Sequence, residues 1–144
     1  MNHPMQLSLQ GGQRAGKIIL IVEDDESIGE LLALAITQES DYQPVIARTS
    51  RQALEVISQV KPHLLLIDYY LPPENGLELY DHIVARHGYE AIPAIFLTLG
   101  DEEPRLTFEE RHLVVLEKPF DLDSLLQAIE EQLHSRCQAE LVLS

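Results

Sequence analysis

Short continuous apolar runs recur along this chain, each stopped by a polar or charged residue, and no other feature restricts the fold as tightly. Ile18-Ile19-Leu20-Ile21-Val22 stops at Glu23-Asp24-Asp25, and Leu64-Leu65-Leu66-Ile67 stops at Asp68. Val45-Ile46-Ala47, Ala94-Ile95-Phe96-Leu97 and residues 113–116 repeat the form. Consecutive apolar positions suit strands covered on both faces. Between the runs lie helical spacings: Ile28, Leu31, Leu32, Ala35 and Ile36, then Ala53, Val56, Ile57 and Val60 before Pro62. Leu79, Tyr80, Ile83 and Val84 follow, and Leu122, Leu125, Leu126, Ile129 and Leu133 close the series. Ser27 with Glu30, and Thr49 with Gln52, have capping-box spacing, and Asp121 suits the N-cap of the last helix. Residues 101–112 make the weakest helix, because Pro104 and poor periodicity leave a turn or two. Five alternations of strand and helix predict an α/β fold: a doubly wound, five-stranded parallel sheet with right-handed crossovers and helices on both faces.

A chain of 144 residues supplies one domain with a substantial core. The polar, glycine-containing residues 1–16 are expected to be a flexible leader, residues 17–135 the folded domain and residues 136–144 an extension. Twenty-four acidic against ten basic residues give a net charge of −14. Such a surface disfavours nucleic acid and anionic membrane as direct partners. Cys137 is the only cysteine, so no internal disulfide forms, which suits a cytoplasmic location. No apolar stretch approaches the roughly 18 residues that a membrane span needs, and residues 1–16 contain no signal-peptide core.

In doubly wound sheets, ligands bind beyond the carboxyl ends of the strands. Four of the five runs end there on groups suited to a phosphoryl ion or its metal. Glu23 and Asp24 end the first run, Asp68 the third, Thr98 the fourth, and Lys118 the fifth, followed by Pro119. Crowded carboxylates raise one another's pKa and are tolerated where a cation is held. Magnesium, hard and slow to dehydrate, takes one or two carboxylates together with water and phosphate oxygens. Asp68 can serve as ligand and as nucleophile, since carboxylates form acyl phosphates. The Thr98 hydroxyl can donate to a phosphoryl oxygen, and Lys118 can balance its charge or pair with Asp68. Asp25, beside a helix start, reads as a cap.

These motifs together resemble the receiver domain of two-component response regulators. The matching segments, in order, are Ile19-Leu20-Ile21-Val22-Glu23-Asp24-Asp25, Leu64-Leu65-Leu66-Ile67-Asp68 with Leu71-Pro72-Pro73-Glu74-Asn75-Gly76, Phe96-Leu97-Thr98, and Glu117-Lys118-Pro119-Phe120. The resemblance covers about residues 17–135 and implies a flavodoxin-like strand order, 2-1-3-4-5. It implies that Asp68 is the phosphoacceptor, with Mg2+ (or Mn2+) held by Glu23, Asp24, Asp68 and the Tyr70 backbone carbonyl. Thr98 becomes the switch hydroxyl and Lys118 the phosphate lysine, its bond to Pro119 expected to be cis. The implied donor is a sensor histidine kinase or a histidine phosphotransfer protein, and the implied role is a switch of protein contacts, not a conventional enzyme.

Two positions depart from that pattern. Leu99 stands where receivers carry a small residue, and is expected to narrow access to Asp68. Val115 stands where many place a switch aromatic, so the readout through residues 100–112 and the last helix is expected to differ. Both positions favour an alternative reading, a receiver-like binding module independent of phosphorylation. Rival enzymes fit less well. A flavin phosphate would be repelled by Glu23-Asp24-Asp25, and Tyr70 replaces the second aspartate of haloacid-dehalogenase-like phosphatases. No nucleotide P-loop is present. The six histidines lack metal-ligand spacing, and Tyr69 and Tyr70 read as packing groups. The apolar Leu141-Val142-Leu143 would suit docking of the last helix or a homodimer contact. No output-domain pattern follows the last helix, which fits a stand-alone receiver or one excised from a longer chain.

Overall fold

A computed structural model describes residues 16–87, 92–100 and 105–143, with side chains within 16–86, 92–100 and 105–134. The five apolar runs form β1 (Ile18–Val22), β2 (Gln43–Ala47), β3 (Leu64–Asp68), β4 (Ala94–Thr98) and β5 (Val114–Glu117). Five helices follow them in turn: α1 (Glu26–Glu39), α2 (Ser50–Ile57), α3 (Gly76–His87), α4 (Arg105–Glu110) and α5 (Leu122–Leu143). The strands pair in parallel in the order β2-β1-β3-β4-β5, the expected doubly wound topology.

Alternation along each strand divides the core into two layers. Leu20, Val22, Leu65, Ile67 and Phe96 pack with Ala53, Ile57, Leu79, Ile83 and Phe108 on one face. Ile19, Ile21, Leu64, Leu66, Ile95 and Leu97 pack with Leu32, Ile36, Leu125, Ile129 and Leu133 on the other. Every residue of β3 and β4 is buried, which explains their unbroken apolar runs. Each fully buried aliphatic side chain contributes about 1.5–3 kcal/mol of transfer free energy. The β2 strand lies at the sheet edge, is half-buried, and reaches back to Gln43 and Pro44. Proline is tolerated on an edge because no ladder bond is lost there.

The register sets the site. Val22 pairs with Ile67, so Glu23, one residue on, comes level with Asp68. Asp68 pairs with Leu97, and Thr98 with Glu117. The chemistry-bearing residues therefore share one edge.

Several local expectations need correction. Helix α1 begins at Glu26 with Asp25 as its N-cap, whose Oδ1 accepts from the Ile28 N–H at 3.0 Å. Ser27 thus lies inside the first turn and forms no capping box with Glu30. Thr49 does cap α2, accepting from the Gln52 N–H at 3.0 Å, while Gln52 Oε1 accepts from the Arg48 N–H at 2.8 Å. That helix ends at Ile57, leaving Val60 outside it. Residues 71–76 are more than a loop: Tyr70–Leu71 pairs antiparallel with Glu74–Asn75. Asn75 and Glu78 then cap α3 reciprocally, each side chain accepting from the other's N–H at 2.9 Å. Helix α4 is a short six-residue segment, as its weak periodicity predicted, and Pro104 lies outside the described residues. Asp121 caps α5, accepting from the Ser124 N–H at 2.7 Å, and the helix runs unbroken to Leu143. Residues 1–15 of the expected leader, and the side chains of Cys137 and Leu141-Val142-Leu143, lie outside the described residues. No described helix is long and apolar enough to cross a membrane.

Candidate metal centre

Glu23, Asp24 and Asp68 each present a carboxylate oxygen, and the three oxygens lie within 4.8 Å of one another. Glu23 and Asp68 are buried, at 1% and 5% exposure, while Asp24 is open to solvent. The buried pair is crowded. Burial, then repulsion by Asp68 and a hydrogen bond with it, push the Glu23 carboxyl up to about 8; the Asp25 N–H and Lys118 oppose the shift. One Glu23 oxygen, Oε2, accepts from the Asp25 N–H at 3.2 Å, whereas the buried Oε1 has no hydrogen-bond partner.

Such an arrangement is costly without a cation. The Lys118 ammonium offsets part of the cost: Nζ donates to Asp68 Oδ1 at 3.2 Å and stands 3.8 Å from Glu23 Oε1. An orphaned buried oxygen beside two carboxylates, with one carboxylate facing water, fits a hard divalent ion that keeps part of its hydration shell.

The backbone holds these groups in place. The Lys118 N–H donates to the Thr98 carbonyl at 2.7 Å, joining the ends of β4 and β5, and the Lys118–Pro119 peptide is cis as expected. The Tyr69 N–H donates to the Leu97 carbonyl at 2.8 Å, and the Gly76 N–H to the Tyr69 carbonyl at 2.7 Å. Gly76 is required by close approach: a Cβ there would lie 2.6 Å from the Asp68 carbonyl oxygen and 2.8 Å from Ile67 Cγ2. The sequence shows Gly76 only as the end of a motif; its contact with the Asp68 backbone appears only in the fold.

Thr98 is buried at the same edge, at 2% exposure. Leu99, next to it, is 64% exposed, and Tyr70, two residues beyond Asp68, is 68% exposed. Tyr70 stands in the hairpin paired with Asn75, and Tyr69 packs edge-on against Phe108 at 5.9 Å. Between β4, β5 and α4 a cavity of about 360 Å³ is bordered by Thr98, Phe108, Leu113 and Val115. Val115, a short side chain, lines this space. Arg105 spans its mouth, donating to the Gly100 carbonyl at 3.2 Å and pairing with Glu117 at 3.8 Å. No described histidine belongs to the acidic cluster.

Residues 19–130 match the family model described as "Response regulator receiver domain". The chain is 39% identical over 88 residues to the phosphate regulon transcriptional regulatory protein PhoB of Pseudomonas aeruginosa, spanning 61% of this chain and 38% of that one. It is 32% identical over 116 residues to the transcriptional regulatory protein MalR of Bacillus subtilis, spanning 78% of this chain and 48% of the relative. The chain thus spans about half or less of the length of these curated relatives. Among solved structures, a putative response regulator from Chloroflexus aurantiacus superposes with a TM-score of 0.73 at 27% identity, covering 82% of this chain and 98% of that one.

Proposed function

This chain belongs to the response regulator receiver domain family, and on that premise we propose that it accepts a phosphoryl group on Asp68 from a histidine kinase or a histidine phosphotransfer protein. The observation that carries the proposal is the Lys118–Asp68 hydrogen bond of 3.2 Å inside a three-carboxylate cluster with a buried, unpartnered Glu23 oxygen. An Asp68 oxygen attacks the phosphorus of a phosphohistidine. The O–P bond forms, the P–N bond breaks, and the imidazole leaves after taking up a proton. Glu23, Asp24 and Asp68 would hold a magnesium or manganese ion, which when bound neutralises charge on the phosphoryl oxygens.

The chain's own residues do the rest. Lys118 holds Asp68 in place through its 3.2 Å hydrogen bond, then turns to the new phosphoryl oxygens. Thr98, bonded through its carbonyl to Lys118, can follow the phosphoryl group inward with its hydroxyl. Driving a two-state switch from 1:99 to 99:1 needs roughly 5.5 kcal/mol, within reach of several charge-assisted bonds made in one state only. The switch then alters protein contacts. The phosphoryl group resides on the chain itself, so the protein acts as a signalling switch rather than a conventional enzyme.

Leu99 and Val115 favour a second reading, a binding module that works without phosphorylation. Beryllofluoride with magnesium separates the two. A shift in the amide spectrum around Thr98 and Lys118, lost in Asp68→Asn, supports phosphorylation; an unchanged spectrum supports the alternative.

A further inference from the structure

A cavity of about 810 Å³ lies away from the carboxylate cluster, between α2, α3 and the hairpin that follows β3. Leu54, Pro72 and Pro73 give it an apolar floor, and Arg51 on α2 and Arg86 on α3 stand on its two walls. These arginines differ from the other described arginines. Arg48 pairs with Glu26 at 3.1 Å, Arg111 with Asp81 at 2.7 Å, and Arg105 donates to the Gly100 carbonyl at 3.2 Å. Arg51 meets only Glu55, at 3.8 Å with both side chains mostly exposed, and Arg86 has no partner among the described residues.

Among the described residues, two guanidinium groups without a short partner thus face one apolar-floored groove, in a chain whose net charge is −14. The groove also carries polar atoms in want of partners: Ser50 Oγ and Glu74 Oε1 are buried without a hydrogen bond, and the other Glu74 oxygen stands 3.6 Å from His82 Nδ1. We propose that this groove binds an extended acidic peptide segment of a partner protein. The segment's carboxylates meet Arg51 and Arg86, an aliphatic side chain rests on Leu54 and the two prolines, and its N–H groups donate to Glu74 and Glu55. Arginine suits this role because its planar fork matches carboxylates. A phosphate-bearing membrane is the lesser candidate, because a flat bilayer surface does not enter a concave groove.

Selection of a random displayed dodecapeptide library on the full chain tests this. The proposal predicts enrichment of sequences that combine Asp or Glu with an aliphatic residue. A synthetic copy of the leading sequence should shift the amide signals of Arg51, Leu54, His82 and Arg86. Arg51→Glu and Arg86→Glu should each weaken it about tenfold, the worth of one charged hydrogen bond, while Asp68→Asn leaves it unchanged. The substituted side chains are exposed, so both variants should fold, and unchanged thermal midpoints check this. Enrichment no greater than on the double variant, basic consensus sequences, or binding to phosphatidylglycerol vesicles in place of peptide would each overturn the proposal.

Discussion

Replacing Gly76 by alanine tests the link between the start of α3 and the position of Asp68. A Cβ at this site would stand 2.6 Å from the Asp68 carbonyl oxygen, 2.8 Å from Ile67 Cγ2 and 3.1 Å from Tyr69 Cα. Two of these neighbours are backbone at the end of a fully buried strand, so no flexible side chain can yield. Either β3 or α3 must move by several tenths of an ångström. Overpacking of this kind costs roughly 1–3 kcal/mol, and with backbone as the obstacle the upper end is expected, about 3 kcal/mol. That is a large share of a typical total of about 5–15 kcal/mol, and corresponds to a fall of about 10 °C in thermal midpoint for a domain of this size. Urea unfolding should show a lower midpoint with an unchanged slope. Gly29→Ala is the control. Its Cβ would meet Ile46 Cγ2 at an ordinary 3.5 Å inside α1, so it should stabilise by about 0.5–1 kcal/mol. Phosphoryl acceptance by the folded Gly76→Ala protein should also fall, since misplacement by about 1 Å can cost 10²-fold. A loss of stability below about 1 kcal/mol at Gly76, or equal effects at both glycines, would refute the close-approach account.

Further outcomes follow from other contacts. His63 Nδ1 accepts from the Ile18 N–H at 2.9 Å, and burial, then Lys17 and Lys61, hold the ring's pKa below the usual 6.5. The unfolded chain therefore binds this proton first. The stability due to His63 is complete above pH 6.5 and is lost as pH falls through the lowered folded value. A His63→Asn variant should lack that component, which thermal scans between pH 7.5 and pH 5 would read. Leu99→Ala should speed labelling of Asp68 by acetyl phosphate and loss of the label, because the bulky side chain next to Thr98 is removed; unchanged rates would contradict the role given to Leu99. Asp25→Ala should cost about 1 kcal/mol through the lost α1 cap, measured by urea unfolding.

The legible parts of this fold were those in which one strand or helix face carried its own signal. The β1, β3 and β4 runs could be read because both faces of each strand are buried, leaving no polar alternation to mislead. Edge strand β2 was read two residues short at its start, since half-buried Gln43 and Pro44 look like loop. Caps were read correctly at Asp25, Thr49 and Asp121 but not at Ser27, because spacing alone does not distinguish an N-cap from a first-turn serine. The Asn75–Glu78 box went unread, hidden in a segment whose hairpin is set by pairing with Tyr70 and Leu71. Glu23, Asp24, Asp68, Thr98 and Lys118 were legible as a set because parallel strands deliver their C-terminal ends to one edge. The orphaned Glu23 oxygen, the approach of Gly76 to Asp68 and the groove between α2 and α3 arise from long-range register, which no local pattern encodes.

The central claim, that Asp68 is the phosphoacceptor of a metal-dependent receiver, is tested most directly by labelling the chain from a phosphorylated histidine phosphotransfer protein and locating the modified residue. The account predicts one acyl phosphate per chain, at Asp68, formed with magnesium, abolished by chelation and absent from Asp68→Asn. Label that persists in Asp68→Asn, or a wild-type chain that stays unlabelled by any member of a donor panel with magnesium present, would contradict it.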